Sequence, residues 1–289
     1  MGLADKLKSM FKGKSDVFAR FELLREAISG TMSKFYKARN RETRQIVGLK
    51  VLDKKQTEQL MARFPGLKKP CEGEIAMKMD HPHIVKTFEH GLTTNGEQYL
   101  VMEFLEGPGL NSVIMSKDAR LDGRRLNLLR QAADALQSVH DAGYIHRDVC
   151  PRNFVVDPHL QKLTLIDFGL TVPATPDFQK PGNRTGTPSY MSPEVVRRKP
   201  TDKRLDIFSF GVTAYELCTG QLPWEAGKDG QAAIARSSVD PTPVEQYRPT
   251  IHPELAKVIM ACLSTNADAR PQSFADFSRA IRHLTSEDA

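Results

Sequence analysis

From Phe21 to Leu52 the apolar residues fall in short runs rich in β-branched and aromatic side chains, FELLREAISG, KFYKARN and QIVGLKVL, separated by turn formers. Runs of this kind predict three β-strands, because branched and aromatic side chains pack well on a pleated surface. Another strand is predicted over residues 98–105, QYLVMEFL, which runs into the breaker-rich Glu106-Gly107-Pro108-Gly109. The period then becomes helical: Leu126, Leu129, Ala132, Ala133, Leu136 and Val139 predict a buried helix that ends near Gly143. Phe154-Val155-Val156 and Leu163-Thr164-Leu165-Ile166, joined across Asp157-Pro158-His159, predict a hairpin. Residues 171–184 are polar and punctuated by Pro173, Pro176 and Pro181-Gly182, which predicts a mobile surface segment. Between Lys50 and Glu72 the pattern is broken by Pro65-Gly66 and Pro70, so a helix is expected to start near Pro70. At the N-terminus Leu3, Leu7, Met10 and Phe11 stand at helical spacing among Lys6, Lys8, Lys12 and Lys14, a short basic amphipathic segment.

Within this frame His146-Arg147-Asp148-Val149-Cys150-Pro151-Arg152-Asn153 precedes the hairpin and Asp167-Phe168-Gly169 follows it. Asp148 and Asn153 on one loop, with Asp167 beyond the hairpin, put three oxygen-bearing side chains around one small volume. Phosphoryl transfer needs such a set: a hard cation takes oxygen ligands and shares them with phosphates, and a remaining carboxylate can receive a hydroxyl proton.

These blocks resemble the catalytic loop and metal-binding motif of eukaryotic-type serine/threonine protein kinases, and further blocks in the same order extend the resemblance from about Phe21 to about Leu284. The resemblance implies an α+β, bilobal fold. A basic segment over residues 1–16 would precede a small, mainly β N-lobe over about 17–105, a hinge at about 103–109, and a larger, mainly α C-lobe over about 107–289. It also implies transfer of the γ-phosphoryl group of ATP to serine and threonine hydroxyls of proteins, the chain's own activation segment among them, with Mg2+ or Mn2+. Asp148 would position and deprotonate the acceptor, and Asn153 and Asp167 would hold the metal. Lys50, closing Val47-Gly48-Leu49-Lys50, would orient the phosphates and pair with Glu72, or with Glu74 were the helix shifted. Ile28, Gly30 and Ser33 would lie on the loop covering the phosphates, and Phe35 and Gly48 above the adenine. Met102 would guard the back of the pocket, the Glu103 carbonyl and Leu105 amide would meet the adenine edge, and Val155 completes the cofactor-binding set. Asp206 would brace the catalytic loop, and Arg270 would pair with Glu194. Arg147 would collect a phosphate from Thr175 or, preferentially, Thr185, while Thr187 would touch Asp148.

Several positions depart from the family's pattern. The phosphate loop keeps only Gly30 of three glycines, which leaves open the alternative of a pseudokinase acting as a nucleotide-binding scaffold. Phe35 stands for a usual valine and Gly48 for a usual alanine, a larger ceiling beside a smaller one, which conserves pocket volume. Phe208 replaces a tryptophan. Cys150 replaces the lysine that neutralises the transferring phosphate, and Arg152, two residues further on, is the candidate to supply the charge instead. Gly186-Thr187-Pro188-Ser189-Tyr190-Met191-Ser192-Pro193-Glu194 resembles the peptide-docking loop of serine/threonine kinases and disfavours small-molecule substrates.

Composition changes little in this picture. A chain of 289 residues, 40% hydrophobic and 26% charged, is ordinary globular material. Cys71, Cys150, Cys218 and Cys262 form no metal-ligand spacing, and no apolar run approaches the roughly 18 residues of a membrane span, so a cytoplasmic setting is expected. The net charge of +6 is read as solvated surface, scattered except over the first fourteen residues. No nucleic acid is expected as a partner; residues 1–14 are the candidate for a weak contact with an anionic membrane surface or a partner protein.

Overall fold

The computed structural model describes residues 14–25, 28–29, 32–182, 184–224 and 239–289. They divide into two units, one made of residues up to Asp80 with Val85–Leu105, the other of His81–Ile84 with Glu106–Ala289. Apart from residues 14–16, the basic amphipathic segment lies outside the described residues, as does Gly30.

In the first unit a short helix α1 (Val17–Arg20) leads into an antiparallel sheet of β1 (Phe21–Leu23), β2 (Ile28–Ser29), β3 (Ser33–Asn40), β4 (Ile46–Leu52), β5 (Thr87–Leu92) and β6 (Gln98–Glu103). Its order is β1-β3-β4-β6-β5, with β2 paired to β3. Strand alternation sorts the side chains into two faces. Ala38, Val47, Leu49, Val51, Tyr99 and Val101 share one face and pack with Val17 from the strap that precedes β1 and with Phe21 at the start of β1. Gly48, Lys50 and Leu52, one position out of phase on β4, belong to the opposite face. The strap is fixed at both ends: the Ser15 amide donates to the Leu92 carbonyl at 2.8 Å, and Arg20 forks onto Glu89 at 2.8 and 3.0 Å, with Tyr99 Oη donating to the same carboxylate at 2.5 Å.

Two helices complete this unit, α2 (Lys54–Met61) and α3 (Glu72–Ala76), the latter beginning two residues after Pro70. Its N-terminus is closed by a reciprocal cap. The Glu74 amide donates to Cys71 Sγ at 3.4 Å, and the Cys71 amide donates to Glu74 Oε2 at 2.8 Å. That cap commits Glu74 and leaves Glu72 to face Lys50.

The second unit is mainly helical: α4 (Leu110–Met115), α5 (Arg125–Asp141), α6 (Pro193–Val196), α7 (Arg204–Thr219), α8 (Val244–Tyr247), α9 (Pro253–Cys262) and α10 (Phe274–Ala280). Helix α7 is buried on every side from Leu205 to Tyr215, Asp206, Ser209 and Thr213 included, as befits a helix at the centre of a core. Helix α5 buries the stripe Leu126, Leu129, Ala132, Ala133, Leu136 and Val139, with His140 at its end. Two small ladders carry the loops of interest, β7 (Tyr144–Ile145) with β10 (Val172–Pro173), and β8 (Phe154–Val156) with β9 (Leu163–Leu165).

The segment 171–184 is a surface stretch at 175–177 and over most of its second half, as its polarity predicts, but it is anchored at Thr171, Val172 and Phe178. Thr171 and Val172 are fully buried, Val172 pairs with Ile145, the Ala174 amide donates to the Gly143 carbonyl at 2.8 Å, and Phe178 is buried. Two apolar anchors among the prolines are enough to pin a chain whose average composition reads as a loop.

Candidate active site

In the first unit, β4 and α3 bring Lys50 and Glu72 together. Nζ lies 2.6 Å from Oε1, with both residues under a tenth exposed. Glu72 is the first residue of α3, so the amide dipoles of the helix start also favour its negative charge. Beside Lys50, Gly48 has no side chain for a steric reason. A Cβ built there would lie 2.7 Å from Phe35 Cζ, closer than real Cβ contacts come, and 3.1 Å from Met102 Cγ, a tight contact. Phe35 therefore occupies the notch that the missing methyl leaves. Its ring is stacked with Phe104, centroids 6.3 Å apart and planes at 15°, and Lys37 Nζ lies 4.5 Å from the Phe104 centroid. Met102 is buried opposite Gly48, and β2 sets Ile28 opposite Phe35 in register. Ser33 opens β3; the Glu103 amide donates to the Lys86 carbonyl at 2.8 Å, and Leu105, half-buried, ends the unit.

In the second unit the catalytic loop hangs from one carboxylate. Asp206, fully buried on α7, accepts the His146 amide and the Arg147 amide at 2.8 Å each and lies 2.8 Å from His140 Nε2. Burial alone would raise the Asp206 pKa. The bond to His140, the charges of His140 and His146, and the His146 amide outweigh it and hold the group below its ordinary value. Arg147 has a left-handed φ of 67°, found at few non-glycine residues among those described, and the two amide bonds hold that conformation in place.

Asp148 is next. Its Oδ1 accepts the Thr187 amide at 2.8 Å and Thr187 Oγ1 at 2.7 Å, and its Oδ2 accepts Asn153 Nδ2 at 3.0 Å. The Asn153 amide group also donates to the Asp148 carbonyl at 2.7 Å, which turns its own oxygen away from this contact. A backbone bond from Ile166 N to Asn153 O, 2.9 Å, ties the loop to the residue before Asp167, whose Oδ1 accepts the Gly169 amide at 2.8 Å. Asn153 and Asp167 thus offer an amide oxygen and a carboxylate, the oxygen-only donors a hard cation takes. Val155 pairs with Thr164 across the hairpin and bridges to Gly109. Gly186 comes so near the Arg147 carbonyl that a Cβ would lie 2.8 Å from it, and its φ of 124° suits only glycine.

Cys150 is buried, with Sγ 3.7 Å from Thr187 Oγ1. Burial first, and the neighbouring Asp148 charge second, push its thiol up to about 11, so it is neutral and carries no positive charge. Arg152 is exposed; the groups that feel its charge are Cys150, Tyr190 and Glu216, and Tyr190 Oη donates to Glu216 Oε2. Of the two threonines proposed to receive phosphate, the favoured Thr185 is buried and Thr175 is exposed. Arg147 is itself buried, with Nη1 donating to the Phe178 carbonyl at 3.5 Å. Below the docking loop, Arg270 forks onto Glu194 at 2.8 and 2.9 Å.

Sequence reasoning missed His140, although its place one helical turn after Leu136 on the buried face of α5 was a usable signal. It also missed the Tyr190–Glu216 bond and the capping role of Cys71. Cysteine is no customary cap, and a tyrosine on a loop gives no sign of its partner.

A family model described as "Protein kinase domain" matches residues 21–283. Among curated proteins, the chain is 30% identical over 270 residues to "Serine/threonine-protein kinase pkn3" of Myxococcus xanthus, covering 89% of this chain and 48% of that protein. It is 31% identical to pkn2 of the same organism, covering 91% and 32%, and 32% identical to "Serine/threonine-protein kinase PknB" of Mycolicibacterium smegmatis, covering 89% and 41%. The chain therefore spans between about a third and a half of the length of these relatives.

Proposed function

The chain belongs to the protein kinase family, and on that premise we propose that it transfers the γ-phosphoryl group of ATP to serine and threonine hydroxyls of proteins. The observation that carries this reading is the seating of Asp148: one carboxylate oxygen takes two donors from Thr187, the other takes Asn153 Nδ2. A carboxylate so oriented can accept the hydrogen bond of an acceptor hydroxyl and receive its proton late in the transfer, when little basicity is needed. Lys50, steadied by Glu72, binds phosphate oxygens. Asn153 and Asp167 would hold Mg2+, or Mn2+, which when bound neutralises charge on the phosphates. Phe35 and Met102 would contact the adenine, and Ile28, Gly30 and Ser33 would lie over the phosphates. These parts together favour catalysis over the nucleotide-binding scaffold reading.

Arg152 is our candidate for the positive charge that Cys150 cannot supply. Residues 1–14 are proposed to make a weak electrostatic contact with an anionic membrane surface or a partner; equal binding to anionic vesicles by residues 1–289 and by residues 15–289 would remove the membrane version. No helix among the described residues is long and apolar enough to cross a membrane. The four cysteines are free, which suits a reducing, cytoplasmic setting. Incubation of the purified protein with Mg-ATP and a mixed protein substrate, with phosphate located by mass spectrometry, tests the reading: phosphoserine or phosphothreonine is expected, and ATP binding without any transfer would contradict it.

A further inference from the structure

The positive charge of this chain is not scattered. Residues 180–204 hold seven lysines and arginines against two carboxylates, a net +5 of the chain's +6. The first fourteen residues add +3, which leaves the other 250 at −2. Sequence order hides this concentration because apolar and proline-rich stretches separate Lys180 and Arg184 from Arg197-Arg198-Lys199 and Lys203-Arg204. In the fold the two ends of the stretch meet: the Thr201 amide donates to the Gln179 carbonyl at 3.0 Å, closing residues 180–200 into one loop, and the Lys199 amide donates to the Glu194 carbonyl at 2.9 Å.

Lys180, Arg184, Arg197, Arg198, Lys199 and Lys203 are all exposed. Lys180 is paired with Asp177 at 2.7 Å, just outside the stretch, and the two carboxylates within it are both held by arginines. Glu194 is taken by the buried Arg270 fork, and Asp202 is chelated by Arg204 at 2.7 Å. The docking loop Gly186–Glu194 lies inside this basic loop, and Arg152 adds a further exposed cation two residues after Cys150.

We infer that the basic surface of residues 180–204 docks a carboxylate-rich segment of the protein substrate, so that the enzyme selects acceptors with acidic flanks. The inference rests on the kinase reading, because only that reading seats a peptide on the docking loop. A peptide is favoured over a lipid surface by the absence, among the described residues of this stretch, of exposed large apolar side chains that could enter a bilayer. Charge complementarity of this type acts on encounter and selection of partners and weakens as salt screens it.

The test measures binding by fluorescence anisotropy for two threonine peptides that differ only in flanking Asp/Glu versus Asn/Gln. The full chain is compared with the triple variants Arg198→Glu/Lys199→Glu/Lys203→Glu and Arg198→Gln/Lys199→Gln/Lys203→Gln. The expected result is about tenfold tighter binding of the acidic peptide at low salt, an advantage that shrinks at high salt, halves or more in the Gln variant and vanishes in the Glu variant, with thermal unfolding of all three proteins alike. Equal binding of the two peptides to the parent chain would overturn the inference. So would unchanged preference in the Gln variant, which keeps the test valid should the Glu variant fold poorly, or displacement of the peptide by anionic vesicles or duplex DNA at lower charge concentration than by the acidic peptide itself. Because the readout needs no phosphoryl transfer, the two readings fail separately. Acidic peptide bound but never phosphorylated contradicts the kinase assignment, whereas phosphorylation without acidic preference contradicts only the docking surface.

Discussion

The two units depart from the protein kinase pattern in different currencies. In the first, the change is one of volume: Phe35 is larger than the usual residue, Gly48 smaller, and the ring lies in the notch where a Cβ would come within 2.7 Å of it. In the second, the change is one of charge: Cys150 stands where an ammonium is usual, and its thiol, buried beside Asp148, is pushed up to about 11 and stays neutral. A volume change can be absorbed by whichever neighbour touches it, since close packing makes the two side chains one object. A missing charge is replaced only by another charge that reaches the same atoms, and Arg152 is exposed among Cys150, Tyr190 and Glu216. The volume change is thus absorbed locally in the first unit, whereas in the second the proposed replacement depends on the reach of the exposed Arg152.

The largest effect expected short of the catalytic aspartate comes from the one site where charge and packing coincide. Lys50→Met should lower kcat/KM by at least about 100-fold, and it should also destabilise the first unit by about 3 to 5 kcal/mol, because the buried Glu72 carboxylate would lose the ammonium 2.6 Å from it. The position in the motif alone suggests a variant with the fold untouched; the burial of both partners corrects that expectation. Lys50→Met/Glu72→Leu should recover most of the thermal stability and none of the activity, and denaturant melts set beside ATP turnover check both halves.

Gly48→Ala tests the volume half of the contrast. The added methyl should force the Phe35 ring aside and raise the KM for ATP about tenfold, a cost of the size seen for overpacked cores. Phe35→Val/Gly48→Ala should restore it. Additive losses in this double-mutant cycle would show that the two positions are not interlocked. For the charge half, Arg152→Ala should lower kcat several-fold with the KM for ATP unchanged, the mark of a contact made in the transition state, and Cys150→Lys in that background should return part of the rate. An Arg152→Ala enzyme as fast as its parent places the compensating charge elsewhere.

The smallest effect appears only in acid. Burial would raise the Glu194 pKa, but the Arg270 fork holds it below the usual carboxylate range, so its folded-state pKa is lower than its unfolded one. Its contribution to stability is fully present above the unfolded value and fades as pH falls through the folded one. Melting temperature should therefore drop between about pH 5 and pH 3. In Glu194→Gln that portion of the drop should be missing, on a baseline already lowered at pH 7.

How much of this was legible in the sequence follows the same division between local and reaching interactions. The β-branched run of β4, the apolar stripe of α5 and the span of the catalytic loop are local patterns, and each is found where the residues predict it. The interlock of Phe35 with Gly48 was legible because two departures from one pattern cancel in volume. Val17 and Phe178, by contrast, lie in short or proline-rich stretches with no period to read, and only tertiary packing reveals them as anchors. Thr185 reads as accessible from its place before the docking loop and is buried in the fold. The clustered charge of residues 180–204 could have been counted from the sequence, but only the Thr201–Gln179 bond turns a count into a surface.

The account stands or falls on Asp148 as the group that receives the acceptor proton. The most direct measurement is phosphate incorporation into a threonine-containing protein substrate, quantified by mass spectrometry for the parent chain and for Asp148→Asn, with thermal unfolding as a control for folding. The asparagine oxygen can still accept the Thr187 bonds, and Asn153 keeps its bond to the main-chain carbonyl of residue 148 while losing the one to Oδ2, so a protein that melts near the parent's temperature and transfers phosphate at least about 100-fold more slowly is expected, since asparagine cannot take a proton. A folded Asp148→Asn protein with the parent's rate, or a parent that transfers nothing, would contradict it.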